Sequence, residues 1–178
     1  MKIIVKIFLL LTIVCTYAQV KSPEEQITEA IRALLEALRG SATVIGYNQS
    51  GEEIVLRNGT NEMICWADNP NRTDDRGAFF VVCFPKSLEP YMKRMKELGP
   101  EGNSTVASEI KSGKIAMPKL AIRYTLRGHS PEGAIPLTVI HVPYATSELT
   151  GFSTEIDNFR PWLMLAGTAH AHIMVPGH

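Results

Sequence analysis

Three of this chain's five histidines lie in its last eleven residues, TAHAHIMVPGH (168–178), spaced with a methionine in a way that suits a metal ion. In an extended strand alternate side chains share a face, so Thr168, His170, His172 and Met174 point one way and Ala171, Ile173 and Val175 the other. The second set reads as the core side. The first sets out two imidazoles and a thioether in a row, which is ligand chemistry for copper or, with the methionine left out, for zinc. Two histidines need a third ligand from elsewhere. His141, in the strand-like LTVIHVPY, is the best candidate, since His129 sits in the turn-like RGHSPEG and His178 at the terminus. The alternative is a pair of half-exposed strand histidines with ordinary hydrogen bonds.

Such a row needs a sheet behind it and helices over the sheet. SPEEQITEAIRALLEALRG opens with Ser22 and Glu25 in capping-box spacing and Pro23 at the first helical position, and closes with Gly40 behind Arg39. Ile27, Ile31, Leu34 and Leu38 form the stripe by which this helix packs. ATVIGYN, EEIVLR and NEMICW are short β-rich runs divided by QSG and by NGT, and Asn58-Gly59 is a hairpin turn signal. After the polar loop ADNPNRTDDRG, the unbroken apolar run AFFVVCF suits a central strand buried on both faces, so 42–84 reads as a β-meander. SLEPYMKRMKELG predicts a second helix capped by Ser87, with Leu88, Met92 and Met95 on its apolar face. PEGNSTVASEIKSGK suggests a short third helix, and KLAIRYTL, IPLTVIHVP and AHIMV three more strands. The expected class is α+β, a capped N-terminal helix on a mostly antiparallel sheet with one or two further helices.

The first eighteen residues place Lys2 and Lys6 before an apolar stretch that ends at Ala18, the pattern of a secretory leader cleaved after Ala18. The stretch is short for a membrane span, and Val14 before Cys15 argues against a lipid anchor. Residues 19–178 then form one globular domain with 16 basic and 18 acidic residues, a net charge of −2. No basic footprint for nucleic acid or an anionic membrane results, and a partner would be a small ligand or another protein. The cysteines left after cleavage, Cys65 and Cys83, argue for a disulfide in an exported, secreted or periplasmic chain, the alternative being two buried thiols.

Other groupings carry less chemistry. Asp68, Asn71, Asp74 and Asp75 could offer oxygens to calcium but lack regular ligand spacing, and such residues also collect in turns. Asn48, Asn58, Asn71 and Asn103 each begin an Asn-x-Ser/Thr sequon. The chain has no Gly-x-Ser-x-Gly elbow, His-Glu-x-x-His helix, glycine-rich phosphate loop or Cys-x-x-Cys pair. A Ser/His/Asp grouping assembled only in space is still open.

The ordered blocks LRNGTNEMICWADNP, KSLEPYMKRMKELGPEG, HVPYATSELTGF and PWLMLAGTAHAHIMV resemble a family of uncharacterised secreted bacterial proteins, a likeness that covers roughly 42–175. The resemblance implies an exported single domain and no particular activity. In the family pattern the last block reads approximately Thr-His-Arg-Ala-His-Ile-Met. Thr168, Ala171, His172, Ile173 and Met174 match it, while Ala169 and His170 depart from it. His172 is thus the histidine held in common, as a ligand, a general base or a buried hydrogen-bonding group. Tyr144, Arg160 and Trp162 of the matching blocks could line a concave face with His172 and bind a small ligand, or Trp162 could be core and Arg160 a surface group. Two functions are expected from these residues. The first is a non-catalytic binding or structural domain. The second is a metal-binding protein or metal-dependent enzyme using His172, His170 and His141 with zinc or copper.

Overall fold

A computed structural model describes residues 20–72 and 78–177. The stretch expected to be a leader, with Cys15 and Ala18, the loop residues Asp74 and Asp75, and His178 lie outside them. The helices are α1 (Pro23–Ala30), α2 (Glu36–Arg39), α3 (Glu89–Leu98), α4 (Asn103–Lys111) and α5 (Ser147–Thr150). The strands are β1 (Thr43–Tyr47), β2 (Glu53–Arg57), β3 (Met63–Trp66), β4 (Phe79–Pro85), β5 (Ile122–Gly128), β6 (Ile135–His141), β7 (Trp162–Met164) and β8 (His172–Pro176). They make one eight-stranded sheet in the order β2-β1-β3-β4-β5-β6-β8-β7, antiparallel except for β1 with β3. The class is α+β, and among the described residues no helix is long and apolar enough to cross a membrane.

The capping box forms as the sequence requires: the Glu25 backbone N–H donates to Ser22 Oγ, and the Ser22 N–H donates to the Glu25 carboxylate. The helix, however, stops at Ala30, continues as a 3-10 turn (Ile31–Ala33), and breaks at Leu34, whose backbone is extended. Tertiary burial overrides helix propensity here, because the break drops Leu34 beside Ala30, Val44 and the two cysteines. Arg39 supports the break by donating to the freed carbonyls of Leu34 and Arg32. On the same face Gln26 is 4% exposed and docks α1 onto β1. Its Oε1 accepts from the Tyr47 N–H at 2.8 Å and its Nε2 donates to the Tyr47 carbonyl at 2.9 Å, as a neighbouring strand would. Gln26→Leu strands both backbone groups and is expected to lower stability by about 2 kcal/mol, read from the denaturation midpoint; an unchanged midpoint would refute this docking role.

Residues 42–84 are not a meander. The β1–β2 hairpin turns at 48–52, with Gly51 in the left-handed region (φ +77), and β3 then crosses to the other side of β1 and runs parallel to it. Asn58-Gly59 serves that crossing instead of a two-residue hairpin. The Gly59 N–H donates to Thr43 Oγ1, and a Cβ there would lie 2.2 Å from the Thr43 backbone nitrogen. β4 is the interior strand expected of AFFVVCF, with Val81, Val82, Cys83 and Phe84 buried. Cys65 and Cys83 are direct cross-strand partners with Cα atoms 4.0 Å apart, joined by a disulfide.

α1 covers the disulfide face, while Leu88, Tyr91 and Met92 from around α3 and Val106 of α4 cover Ile64, Trp66, Val82 and Phe84 on the other. Ser87 caps nothing; it lies in a 3-10 turn (Lys86–Leu88) ahead of α3.

Candidate functional site

The three strands at one end of the sheet, β6, β8 and β7, assemble a two-row grid on the face shared with α3. His141 pairs with His172, and His172 pairs with Met164 on its other side. One register step along, Val139 pairs with Met174, and Met174 with Trp162. Directly opposed residues of antiparallel strands share a face with Cβ atoms roughly 5 Å apart, so an imidazole, an imidazole and a thioether stand in a row. Solvent reaches the row from one end: His141 is 1% exposed, His172 8% and Met164 39%.

β8 begins at His172, and 168–171 form a turn, so the expected alternation from Thr168 does not extend back that far. The expected core side holds only in part. Ala171 is buried, but Ile173 and Val175 are half-buried, and His172 and Met174 on the other side are buried as well. The histidine side is buried too because Tyr91 and Asn103, at the starts of α3 and α4, close over it.

The imidazoles have separate environments. His170 is engaged at both ring nitrogens, with Nε2 2.9 Å from the Asn103 carbonyl and Nδ1 3.2 Å from the Tyr91 hydroxyl. A carbonyl only accepts, so Nε2 carries a proton, and Nδ1 shares its hydrogen bond with the Tyr91 hydroxyl. His172 Nδ1 donates to the His170 carbonyl at 2.7 Å, which leaves Nε2 with its lone pair and no hydrogen bond among the described residues. His141 lies 5.9 Å from the His172 ring and 5.5 Å from the Tyr91 ring, centre to centre, and neither of its nitrogens has a hydrogen-bond partner among the described residues. Burial pushes the His141 pKa down to about 3, with further lowering by the Arg123 charge and by His172 and His170. Burial likewise brings His172 down to about 4, against the hydrogen bond to the His170 carbonyl, and Arg123 and His170 lower it further. Both rings are neutral at pH 7.

Zinc held by His172, His170 and His141 together does not follow from this arrangement. His170 spends both nitrogens on Tyr91 and Asn103, and among the described residues no group of three or more His, Cys, Asp or Glu is placed to hold a metal ion. Asp68, the one fully described carboxylate of the calcium grouping, accepts from Arg72 and from the Phe80 N–H. Tyr144 and Arg160 stand apart from the row. Tyr144 is exposed, its backbone in the left-handed region (φ +64), and its N–H donates to the Thr168 carbonyl at 2.7 Å, lacing the end of β6 to the turn before β8. Arg160 is exposed and paired with Asp157. Trp162 is 5% exposed and packs with Val139 and Met174 in the second row. His129 is exposed, away from the cluster.

Sequence reasoning missed Met164, Tyr91, Asn103 and Arg123. A Trp-x-Met alternation in PWLM was the one local signal for β7; the others are brought in by long-range packing. No protein-family model, curated protein or solved structure matches the chain.

Proposed function

We propose that this chain is an exported, disulfide-stapled domain that acts by binding rather than catalysis, with the β6–β8–β7 end of its sheet as the binding end. The observation that carries the reading is His141, 1% exposed with both ring nitrogens unpartnered among the described residues, beside a His172 whose tautomer is held by a carbonyl. A buried polar group without a partner costs about 1–3 kcal/mol, a cost that makes sense where a bound ligand supplies the partner. Among the described residues no carboxylate, serine or cysteine hydrogen-bonds to any of the three rings, so none is oriented or activated as in a nucleophile–base relay. Export is supported by the leader pattern of residues 1–18 and by the Cys65–Cys83 disulfide, which suits an oxidising compartment.

The reading is tested by expressing the full chain in a bacterium and weighing the product in each fraction. A product starting at Gln19 outside the cytoplasm, with no thiol titrating before reduction, is expected; a full-length cytoplasmic protein with free thiols would end the export reading. For the binding end, His141→Phe removes the unpartnered nitrogens and is expected to raise the stability of the ligand-free protein by about 1–2 kcal/mol. A fall in stability of that size would mean that His141 is structural.

A further inference from the structure

We propose that His141, His172 and Met164, backed by Met174 in the adjoining row, form a copper(I) site. The proposal rests on the binding-end reading above and names its ligand. Its first ground is the donor set. The row offers two neutral imidazoles and a thioether, and a soft sulfur beside imidazole nitrogen selects copper(I) over harder or oxygen-seeking ions.

The second ground is geometry. His172 is the middle member of the row, its Nδ1 committed to a backbone carbonyl, the outer-shell arrangement that orients a metal-binding imidazole and leaves Nε2 to coordinate. With metal–nitrogen bonds of about 2.0 Å, two imidazoles sharing one ion have ring centres no more than roughly 6.4 Å apart. The His141 and His172 centres are 5.9 Å apart. His141 has both nitrogens available, so either can turn to the ion.

Charge supplies the third ground. No carboxylate contacts the rings among the described residues, and the Arg123 guanidinium acts on both His141 and His172. Two neutral imidazoles and a thioether bring no negative charge to offset a second positive charge on the ion, so the set favours a monovalent ion over a divalent one. Access is the fourth: Met164 is the exposed end of the row, so an ion arrives at a thioether and passes inward to the buried nitrogens.

The test uses the full oxidised chain purified from the host's envelope fraction, titrated anaerobically with copper(I) supplied as its bicinchoninate complex. Roughly one copper(I) per chain should be withdrawn from the chelator, with the Met164 methyl and the His172 ring signals shifting together in the NMR spectrum. Met164→Leu, a change at a partly exposed position of similar volume, should weaken binding by more than about tenfold, the smallest loss expected even for an outer-shell partner. His172→Ala should abolish it, and His129→Ala should leave it unchanged. Folding of each variant is checked by its amide spectrum, and Met164→Leu keeps the test decisive if His172→Ala unfolds.

No withdrawal of copper(I), or withdrawal that Met164→Leu leaves untouched, overturns the copper site. If His141→Phe is then found to stabilise the protein, the binding-end reading survives without copper. If it destabilises, both fall.

Discussion

Acidifying the metal-free protein from pH 7 to about pH 4.5 is expected to remove about 5 kcal/mol of stability, most of what a domain of this size has. The reason is that His141 and His172 are buried as neutral rings, with pKa values of about 3 and 4 against 6.5 for an ordinary histidine. Below pH 6.5 the unfolded chain takes up two protons that the folded chain refuses. Stability from this source is fully present above pH 6.5 and is lost as pH falls toward the folded values, at about 1.4 kcal/mol per pH unit for each ring. Among the described residues Arg123, His170 and Tyr91 are the groups that face these rings from the neighbouring elements, and none of them offers a negative charge to rescue an imidazolium. Glu109, held to about 2 by Arg94 and Lys114, adds a loss of the same sign only below the ordinary carboxylate range. Denaturant midpoints at pH 7, 5.5 and 4.5, with a chelator present, measure the slope. His141→Phe should halve it, and a flat profile from pH 7 to 5 would show that the rings are not buried neutral.

Replacing both cysteines, Cys65→Ala with Cys83→Ala, is expected to cost about 3 kcal/mol, the chain entropy that a bond closing a loop of 18 residues removes from the unfolded state. The double alanine variant is the cleaner test. Both cysteines are completely buried, and serine would bury two hydroxyls and let the one at 83 donate to the Ala30 carbonyl that Cys83 Sγ approaches at 3.4 Å, mixing new polar terms with the loss of the bridge. Because the pair joins β3 to β4 beneath α1, the loss should appear as a lower midpoint with the same amide spectrum. A midpoint equal to that of the oxidised protein would show that the bridge contributes no stability.

Much of the secondary structure was legible in residue order. The Ser22/Glu25 box, Pro23, the apolar AFFVVCF run and the Leu88/Met92/Met95 stripe are local signals, and each stands where a helix or an interior strand forms. The errors came where non-local contacts outweigh local preference. Leu34 leaves the helix for the core, Ser87 loses its capping role to a 3-10 turn, and β3 crosses β1 to pair in parallel. β7 went unseen because its three residues are too few to show alternation.

The candidate site divides along the same line. That His172 and Met174 share a face is a property of any strand, and the sequence was enough to choose His141 as the partner from elsewhere. That Cys65 and Cys83 are the two cysteines outside the leader-like stretch of residues 1–18, and so a natural pair, is likewise visible in the sequence. What the tertiary structure alone decided is that this face is buried, that His170 is taken up by Tyr91 and Asn103, and that Met164 stands at the end of the row. The physical reason is register. Side chains alternate with period two, so a slip of one residue between β6, β8 and β7 would turn every one of these groups to the opposite face, and only the packed sheet sets that alignment.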